Sequence, residues 1–154
     1  MRAVVLDPAD RVLLVRFEFP DVTLWATPGG GQEPGEDDEA TLRRELDEEL
    51  GFALAEIGPH VWTRLHVIPF IDGRWDGQHD RFFLVRTPAF EPSPRLSREQ
   101  LAAEHLMELR WWTQNELAAF APTDLEYFAP RRLVHLLADL LRDGPPASPV
   151  DTGR

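Results

Sequence analysis

The stretch GGQEPGEDDEATLRRELDEELGF, residues Gly30–Phe52, decides the fold of this chain. From about residue 37 to residue 50 it contains no Gly or Pro, and strong helix formers dominate. Asp37 and Asp38 are suited to the start of a helix, and Gly51 is suited to a left-handed cap at its end. The stretch therefore predicts a glycine-rich loop followed by one helix with defined ends.

Three carboxylates share one face of the predicted helix. Glu45, Glu48 and Glu49 are three and four positions apart, so their side chains lie close together and repel one another. Arg44 relieves part of this repulsion through Glu48, and a hard divalent cation relieves more, because Mg²⁺ and Mn²⁺ prefer oxygen ligands. The alternative interpretation is a solvated acidic face. A leucine stripe with a spacing of four is predicted to form the opposite, buried side: Leu42, Leu46 and Leu50.

The spacing of the fixed residues matches a known family. Gly30 is followed after five residues by Glu36, and after seven more by Arg44 and Glu45. The full pattern is G-x5-E-x7-R-E-U-x-E-E-x-G-U, in which U is a bulky apolar residue. It resembles the signature box of the Nudix hydrolases, with every fixed position filled and with Phe52 where an aliphatic residue is usual.

The resemblance implies a metal-dependent phosphoanhydride hydrolase with Mg²⁺ as cofactor and Mn²⁺ as an alternative ion. The metal ligands would be Glu45, Glu48 and Glu49, and the resemblance adds the backbone carbonyl of Gly30. Glu36 belongs to the box but lies at the start of the helix. It either caps the helix dipole or serves as an outer metal ligand or hydrogen-bond support.

The catalytic residues proposed from the sequence are Arg44, Glu48, Glu49 and Glu104. Arg44 is expected to orient the acidic face, whereas the general base remains open among the three glutamates. The resemblance implies a further acid, as metal ligand or base, in the loop before the strand at Arg110–Trp112. Glu104 is preferred to Glu108 because it lies inside that loop, while Glu108 borders the strand.

Around the box, the sequence predicts an α/β protein with a mixed sheet, and the resemblance implies an α/β/α sandwich. The predicted strands are Ala3–Leu6, Val12–Phe17, Leu24–Ala26, His60–Ile71, Asp80–Arg86 and Leu109–Thr113. Short helices are predicted within Leu96–His105 and Gln114–Phe120, a loop over Ala121–Pro130, and an amphipathic helix over Leu133–Leu141. One domain over residues 1–142 and a disordered Pro/Gly-rich tail over residues 143–154 are expected.

Composition narrows the class of protein. The chain has 154 residues, 43% of them apolar, which suits one soluble domain. It has no cysteine, which excludes disulfides and thiolate sites and is compatible with a reducing cytoplasm. No apolar run reaches membrane-spanning length, and the start MRAVVLDPAD lacks the apolar core of a signal peptide. A cytoplasmic protein without membrane association is therefore expected.

The formal net charge of −11 argues against a protein that binds the nucleic-acid backbone. The expected partner is a small-molecule nucleotide, a nucleoside diphosphate linked to another group, whose phosphates would approach through cations. A homodimer is compatible with the resemblance. Candidate substrates are nucleotide sugars, ADP-ribose, dinucleoside polyphosphates and oxidised nucleoside triphosphates. The alternative is a regulator that binds a nucleotide without cleaving it, which the intact acids disfavour. An isopentenyl diphosphate isomerase on the same fold would need a cysteine that this chain lacks.

Overall fold

In the computed structural model, which describes residues 1–66 and 77–153, a mixed β-sheet carries helices on both faces. The strands are β1 Arg2–Leu6, β2 Val12–Phe19, β3 Val22–Ala26, β4 His60–His66, β5 Gln78–Arg86, β6 Leu106–Trp112, β7 Glu126–Ala129 and β8 Val150–Asp151. The helices are α1 Asp38–Leu50, α2 Arg98–Ala103, α3 Gln114–Ala119 and α4 Leu133–Asp143. The predicted α/β/α sandwich with a mixed sheet is confirmed.

The sheet is ordered β7-β3-β2-β1-β5-β4-β8 across the described residues, and β6 pairs with β2 outside this path. The pairs β1/β5, β3/β7 and β4/β8 are parallel, and the others are antiparallel. Strand β1 therefore lies in the middle of the sheet, where both of its faces are covered.

Successive side chains of β1 point to opposite faces of the sheet, so they contribute to two separate layers of the core. Val4 and Leu6 point to the layer formed with α3 and α4, whereas Ala3 and Val5 point to the layer formed with α1. All four side chains are fully buried. Helix α1 is thereby fixed against the middle of the sheet, which sets the position of the box residues.

The ends of α1 follow the predicted local signals. The side chain of Asp37 accepts a hydrogen bond from the N–H of Ala40 at 2.8 Å, which caps the first turn. Gly51 ends the helix with φ of 63°. A Cβ at Gly51 would lie 2.0 Å from the carbonyl oxygen of Ser93, so the close approach of the following loop also requires glycine.

Two expectations about the C-terminal half differ from the structure. Strand β7 lies inside the predicted loop Ala121–Pro130, because it gains its hydrogen bonds from the distant strand β3. The tail predicted to be disordered includes β8, and the N–H of Thr152 donates to the carbonyl of Thr63 at 2.9 Å. The tail is thus placed against the edge strand β4 as far as the structure describes it.

Other boundaries shift by a few residues. Strand β6 begins at Leu106 instead of Leu109, and α2 occupies the predicted helical region. The end of the predicted strand His60–Ile71 and most of the following turn lie outside the described residues. None of the helices in residues 1–66 and 77–153 has the length and apolar character needed to cross a bilayer.

Candidate active site

Helix α1 buries two of its box glutamates together with its leucines. Leu42, Leu46 and Leu50 are fully buried, as predicted, and Glu45 is buried beside them. Glu49 is only 3% exposed, because it follows Leu42 by seven residues and so points in nearly the same direction. The predicted separation of a buried side from an opposite acidic side is therefore wrong for Glu49, which lies at the border of the core.

The glycine loop holds the carboxylate of Glu49. Its Oε2 atom accepts a hydrogen bond from the backbone N–H of Gly29 at 2.9 Å. Burial raises the pKa of Glu49 to about 7, and the negative charges of Glu45 and Glu104 add to this rise. The Gly29 hydrogen bond and the charge of Arg2 oppose the rise. Glu49 therefore has too little positive charge nearby to stay fully ionised at neutral pH without a cation.

Arg44 connects the loop to the helix through its guanidinium group. Nε and Nη2 donate to Glu36 at 2.7 and 3.0 Å, Nη1 donates to Glu45 at 2.7 Å, and Nη2 also donates to the carbonyl of Gly31 at 2.9 Å. Nη1 lies 3.6 Å from Oε2 of Glu48. Glu48, the predicted partner of Arg44, is thus more distant from the guanidinium than Glu36 and Glu45 are.

Glu36 supports the site through Arg44 and does not cap the helix. Asp37 is the cap, while both oxygens of Glu36 accept hydrogen bonds from Arg44. Oε2 also accepts from the Thr41 hydroxyl at 2.9 Å and from the N–H of Glu33 at 3.0 Å. The Arg44 hydrogen bonds are the main reason that the pKa of Glu36 falls to about 2. Among the predicted alternatives, this geometry favours hydrogen-bond support.

The backbone of Gly30 packs directly against the carboxylate of Glu45. A Cβ at Gly30 would lie 2.3 Å from Oε1 of Glu45, so a larger residue would displace the acid. The carbonyl oxygen of Gly30, predicted as a metal ligand, accepts a hydrogen bond from the amino group of Met1 at 2.6 Å. Loop and helix are therefore in contact at the position where the sequence predicts the metal.

The described acids do not form a converged ligand set. Within residues 1–66 and 77–153, no three His, Cys, Asp or Glu side chains are arranged to hold a metal ion together. Glu45 is turned towards Arg44 and Glu49 towards Gly29. The donor chemistry nevertheless fits a hard divalent cation, because a buried, poorly compensated carboxylate lies beside two further carboxylates.

A second charged cluster, which the sequence did not predict, borders the glycine loop. Arg2 donates to the carbonyl of Gly29 at 2.7 Å, and its Nε lies 3.6 Å from Oδ1 of Asp80. Arg64 donates to Oδ2 of Asp80 through Nε at 3.0 Å. Burial acts to raise the pKa of Asp80, but the two arginines and their hydrogen bonds outweigh it and hold the pKa below its usual value. Asp80 thereby fixes two arginines beside the box.

A cavity of about 430 Å³ adjoins the cluster of Arg2, Arg64 and Asp80, and its lining includes Arg2, Arg64 and Glu104. Glu104 lies in the short turn between the end of α2 at Ala103 and the start of β6 at Leu106. Its charge is one of those that raise the pKa of Glu49, so the structure brings this acid to the box. Glu108 lies within β6 opposite Arg16, outside this lining.

Aromatic residues form much of the remaining cavity wall. Phe17, Phe19 and Phe82 line it, whereas Trp25 and Phe83 belong to the core. Tyr127, which the sequence did not single out, lines it from β7. The cavity therefore joins an aromatic wall to an edge that carries two arginines, Arg2 and Arg64, and one acid, Glu104.

Comparisons with known proteins agree with this architecture. A family model described as NUDIX domain matches residues 1–136. Nudix hydrolase 25 of Arabidopsis thaliana is 29% identical over 125 residues, which cover 74% of this chain and 71% of that protein. The nucleoside triphosphatase NudI of Salmonella arizonae is 49% identical over 55 residues, which cover 32% of this chain and 38% of NudI.

Solved structures are similar over most of their length. The NUDIX domain of Shewanella oneidensis NrtR, complexed with ADP ribose, has a TM-score of 0.64 at 18% identity and covers 91% of this chain and 85% of that one. The MutT protein of Methanosarcina mazei has a TM-score of 0.63 at 16% identity, covering 92% and 91%. The C. elegans Ap4A hydrolase has a TM-score of 0.58 at 16% identity, covering 92% and 96%. At these identities the likeness establishes the fold alone. Because the family model matches most of its residues, the chain belongs to the Nudix family.

Proposed function

We propose that this chain is a divalent-metal-dependent hydrolase that cleaves a phosphoanhydride bond in a nucleoside diphosphate linked to another group. The observation that carries the proposal is the buried carboxylate of Glu49, which is held by the glycine loop and whose pKa is influenced by Arg2 and Glu104, two residues that line a cavity of about 430 Å³. A buried acid with a raised pKa next to a cavity is typical of a functional site.

The metal ligands in this proposal are Glu45, Glu48 and Glu49, with the carbonyl of Gly30 as a further ligand and Glu36 as hydrogen-bond support. A bound Mg²⁺ or Mn²⁺ would neutralise phosphate charge and lower the pKa of a coordinated water. The three carboxylates supply the oxygen donors that such ions prefer, and they have one close arginine between them.

Arg44 acts in the proposal as a positioning residue. It bonds Glu36, Glu45 and the carbonyl of Gly31 at the same time, so it fixes the loop relative to the helix. Its contacts leave little of the guanidinium free for a substrate. Precise placement of charged groups supplies much of the catalysis in phosphoryl chemistry.

The general base is one of Glu48, Glu49 and Glu104. Glu104 is exposed at the cavity and lies close enough to Glu49 to influence its pKa, which supports a role in removing the proton from water. Arg2 and Arg64, held by Asp80 at the cavity, are suited to contact the phosphates or their neighbours.

The aromatic cavity wall supports a nucleoside as one half of the substrate. The similar structures include one with ADP ribose and an Ap4A hydrolase, and one relative is a nucleoside triphosphatase. ADP-ribose, diadenosine tetraphosphate and the nucleoside triphosphates therefore belong in the first assay panel, together with nucleotide sugars.

The experiment is a product-resolved panel followed by mass spectrometry, with Mg²⁺, with Mn²⁺ and with EDTA. The proposal predicts cleavage of at least one compound at a phosphoanhydride bond, with water oxygen incorporated into a phosphate product and no turnover in EDTA. Binding of a nucleotide without turnover would favour the regulator alternative. Neither binding nor turnover across the panel would contradict both.

A further inference from the structure

Tyr127 and Arg131 form a stacked pair in the lining of the cavity. Tyr127 lies in β7, and Arg131 lies in the turn before α4, where the N–H of Leu133 donates to the carbonyl of Pro130 at 3.0 Å. The guanidinium carbon of Arg131 lies 3.7 Å from the centre of the Tyr127 ring, and both residues line the cavity. Packing on an aromatic face orients a guanidinium without occupying its N–H groups.

Arg131 differs in its contacts from Arg2 and Arg64, which also line the cavity. Those two arginines share the buried carboxylate of Asp80, so part of their hydrogen-bonding capacity is already occupied. Arg131 is exposed, and its guanidinium forms no ion pair or hydrogen bond with a residue in 1–66 or 77–153. Its N–H donors are therefore available to a molecule that enters the cavity.

The position of Arg131 indicates which part of a substrate reaches it. Strand β7 begins the sheet order, whereas β1 with Arg2 and β4 with Arg64 lie further along, beyond β3 and β2. In the proposed function, the phosphates lie beside the acids of α1 and beside these two arginines. The nucleoside is therefore the half of the substrate that remains for Arg131.

The cavity floor next to the stacked pair suits a flat ring. Phe17, Leu24 and Tyr127 are paired across β2, β3 and β7 and form a bulky row. Ala26 and Ala129, two residues further along, are also paired and also line the cavity. The small alanines leave room beside the bulky row, so a base can lie on the floor with its edge towards Arg131.

We infer that Arg131 is a specificity-determining residue, which donates two hydrogen bonds to neighbouring acceptor atoms on the edge of the substrate's base. Tyr127 is its positioning residue. Guanine carries such a pair of acceptors in O6 and N7, and cytosine carries one in O2 and N3, whereas adenine and uracil offer no uninterrupted pair. The inference rests on the proposed function and adds to it the class of base that is bound.

Nucleoside monophosphates are suitable probes, because they carry a base and contain no phosphoanhydride bond to cleave. Titration calorimetry in Mg²⁺ compares GMP, CMP, AMP and UMP, with ribose 5-phosphate as the probe that lacks a base. The wild type should bind GMP or CMP about tenfold more tightly than AMP and UMP, the discrimination expected of a two-bond contact. If guanine is the preferred base, 7-deaza-GMP, which lacks N7, should lose this advantage.

Arg131→Lys keeps the positive charge but lacks the planar pair of donors, so it should weaken binding of the preferred monophosphate about tenfold. Binding of the other monophosphates and of ribose 5-phosphate should stay the same. Arg132→Lys is the matched control, because Arg132 is a neighbouring exposed arginine outside the cavity lining, and it should change no affinity. Tyr127→Leu removes the ring beneath the guanidinium and should reduce the base preference, whereas Tyr127→Phe should retain it.

Four results would overturn the inference. They are equal binding of the four monophosphates by the wild type, an unchanged base preference in Arg131→Lys or in Tyr127→Leu, an equal loss for ribose 5-phosphate in Arg131→Lys, and hydrolysis of nucleotides by a wild type that binds none of the monophosphates. The equal loss would assign Arg131 to a phosphate. If the wild type hydrolyses no nucleotide in the panel, the proposed function fails, and the base preference in binding still decides the role of Arg131.

Discussion

The backbone N–H of Gly29 donates a hydrogen bond of 2.9 Å to the buried carboxylate of Glu49. Gly29 has φ of 130°, and a Cβ there would lie 2.2 Å from the carbonyl oxygen of Met1, so only glycine can present its N–H in this way. The Glu49 side chain that accepts this hydrogen bond is buried at the border of the core. The glycine loop and the acidic helix are therefore one structural unit, and changes in the charge of Glu49 affect both.

The stability of the metal-free protein should depend on pH through Glu49. Its pKa rises from 4.5 to about 7 on folding, so the folded protein holds this proton more tightly than the unfolded chain. The stabilisation of the folded state that comes from protonated Glu49 is fully present below pH 4.5 and is lost as the pH rises to about 7. Glu49→Gln lacks this titration, so it should gain up to about 3 kcal/mol relative to the wild type across that range.

Urea unfolding in EDTA at several pH values measures this difference. A constant difference between the wild type and Glu49→Gln from pH 4.5 to pH 8 would show that Glu49 titrates normally. Adding Mg²⁺ should stabilise the wild type more at high pH than at low pH, because a metal ligand must lose its proton.

Arg44→Ala should lower kcat about tenfold or more and weaken metal binding, because the substitution releases Glu36 and Glu45 from their common donor. Arg44→Lys keeps the positive charge but lacks the planar guanidinium group that donates several hydrogen bonds at once, so it should restore little of the activity. Metal titrations of kcat for each variant check this. Normal metal affinity with only a raised KM would place Arg44 on the substrate instead.

Arg43 is the neighbouring control for the Arg44 prediction. It pairs with Glu39 on the exposed side of α1, away from the box carboxylates. Arg43→Ala should leave kcat and metal affinity close to the wild type. A similar loss in both arginine variants would indicate general damage to the helix.

Glu104→Gln should reduce kcat about a hundredfold or more and flatten the acidic limb of the pH–rate profile, if Glu104 removes the proton from water. Because its charge contributes to the raised pKa of Glu49, the substitution should also lower that pKa. Recovery of most activity in excess Mn²⁺ would make Glu104 a metal ligand. Glu108→Gln, on a strand outside the cavity lining, is the control and should change neither quantity.

Asp80→Asn should destabilise the fold by about 3 kcal/mol, because it leaves Arg2 and Arg64 without their shared buried partner. Its pKa is depressed on folding, so the stabilisation is present above pH 3.8 and lost as pH falls through the lower folded value. Urea unfolding at pH 7 and at low pH tests this. Asp139→Asn, which breaks an exposed pair with Arg142, should have a far smaller effect, and equal effects would contradict the account.

Local signals in the sequence were sufficient for α1. Asp37 and Gly51 cap the helix as predicted, and the leucine stripe is buried, because each signal acts within one or two turns. The burial of Glu49 could also have been predicted from the sequence, because Glu49 follows the buried Leu42 by seven residues, or about two helical turns. The prediction followed the usual preference of glutamate for solvent instead of this periodicity. It therefore placed Glu49 on the solvent-facing side of the helix.

Contacts between distant parts of the chain could not be predicted from the sequence. Asp80 meets Arg2 and Arg64 only because β1, β4 and β5 are neighbours in the sheet. Strand β7 has only four residues, and its parallel pairing with β3 is not visible in its own composition.

The most direct test of the account is the rate of nucleotide hydrolysis by the wild type and by Glu48→Gln during titration with Mg²⁺ or Mn²⁺. Glu48 is partly exposed and has no close hydrogen bond from Arg44, so the substitution should preserve the fold, which circular dichroism verifies. The account predicts no turnover in EDTA, recovery on adding the metal, and a loss of about a hundredfold or more in kcat for Glu48→Gln. Full activity in EDTA, or in Glu48→Gln, would contradict the claim that the glutamates of α1 hold the catalytic metal.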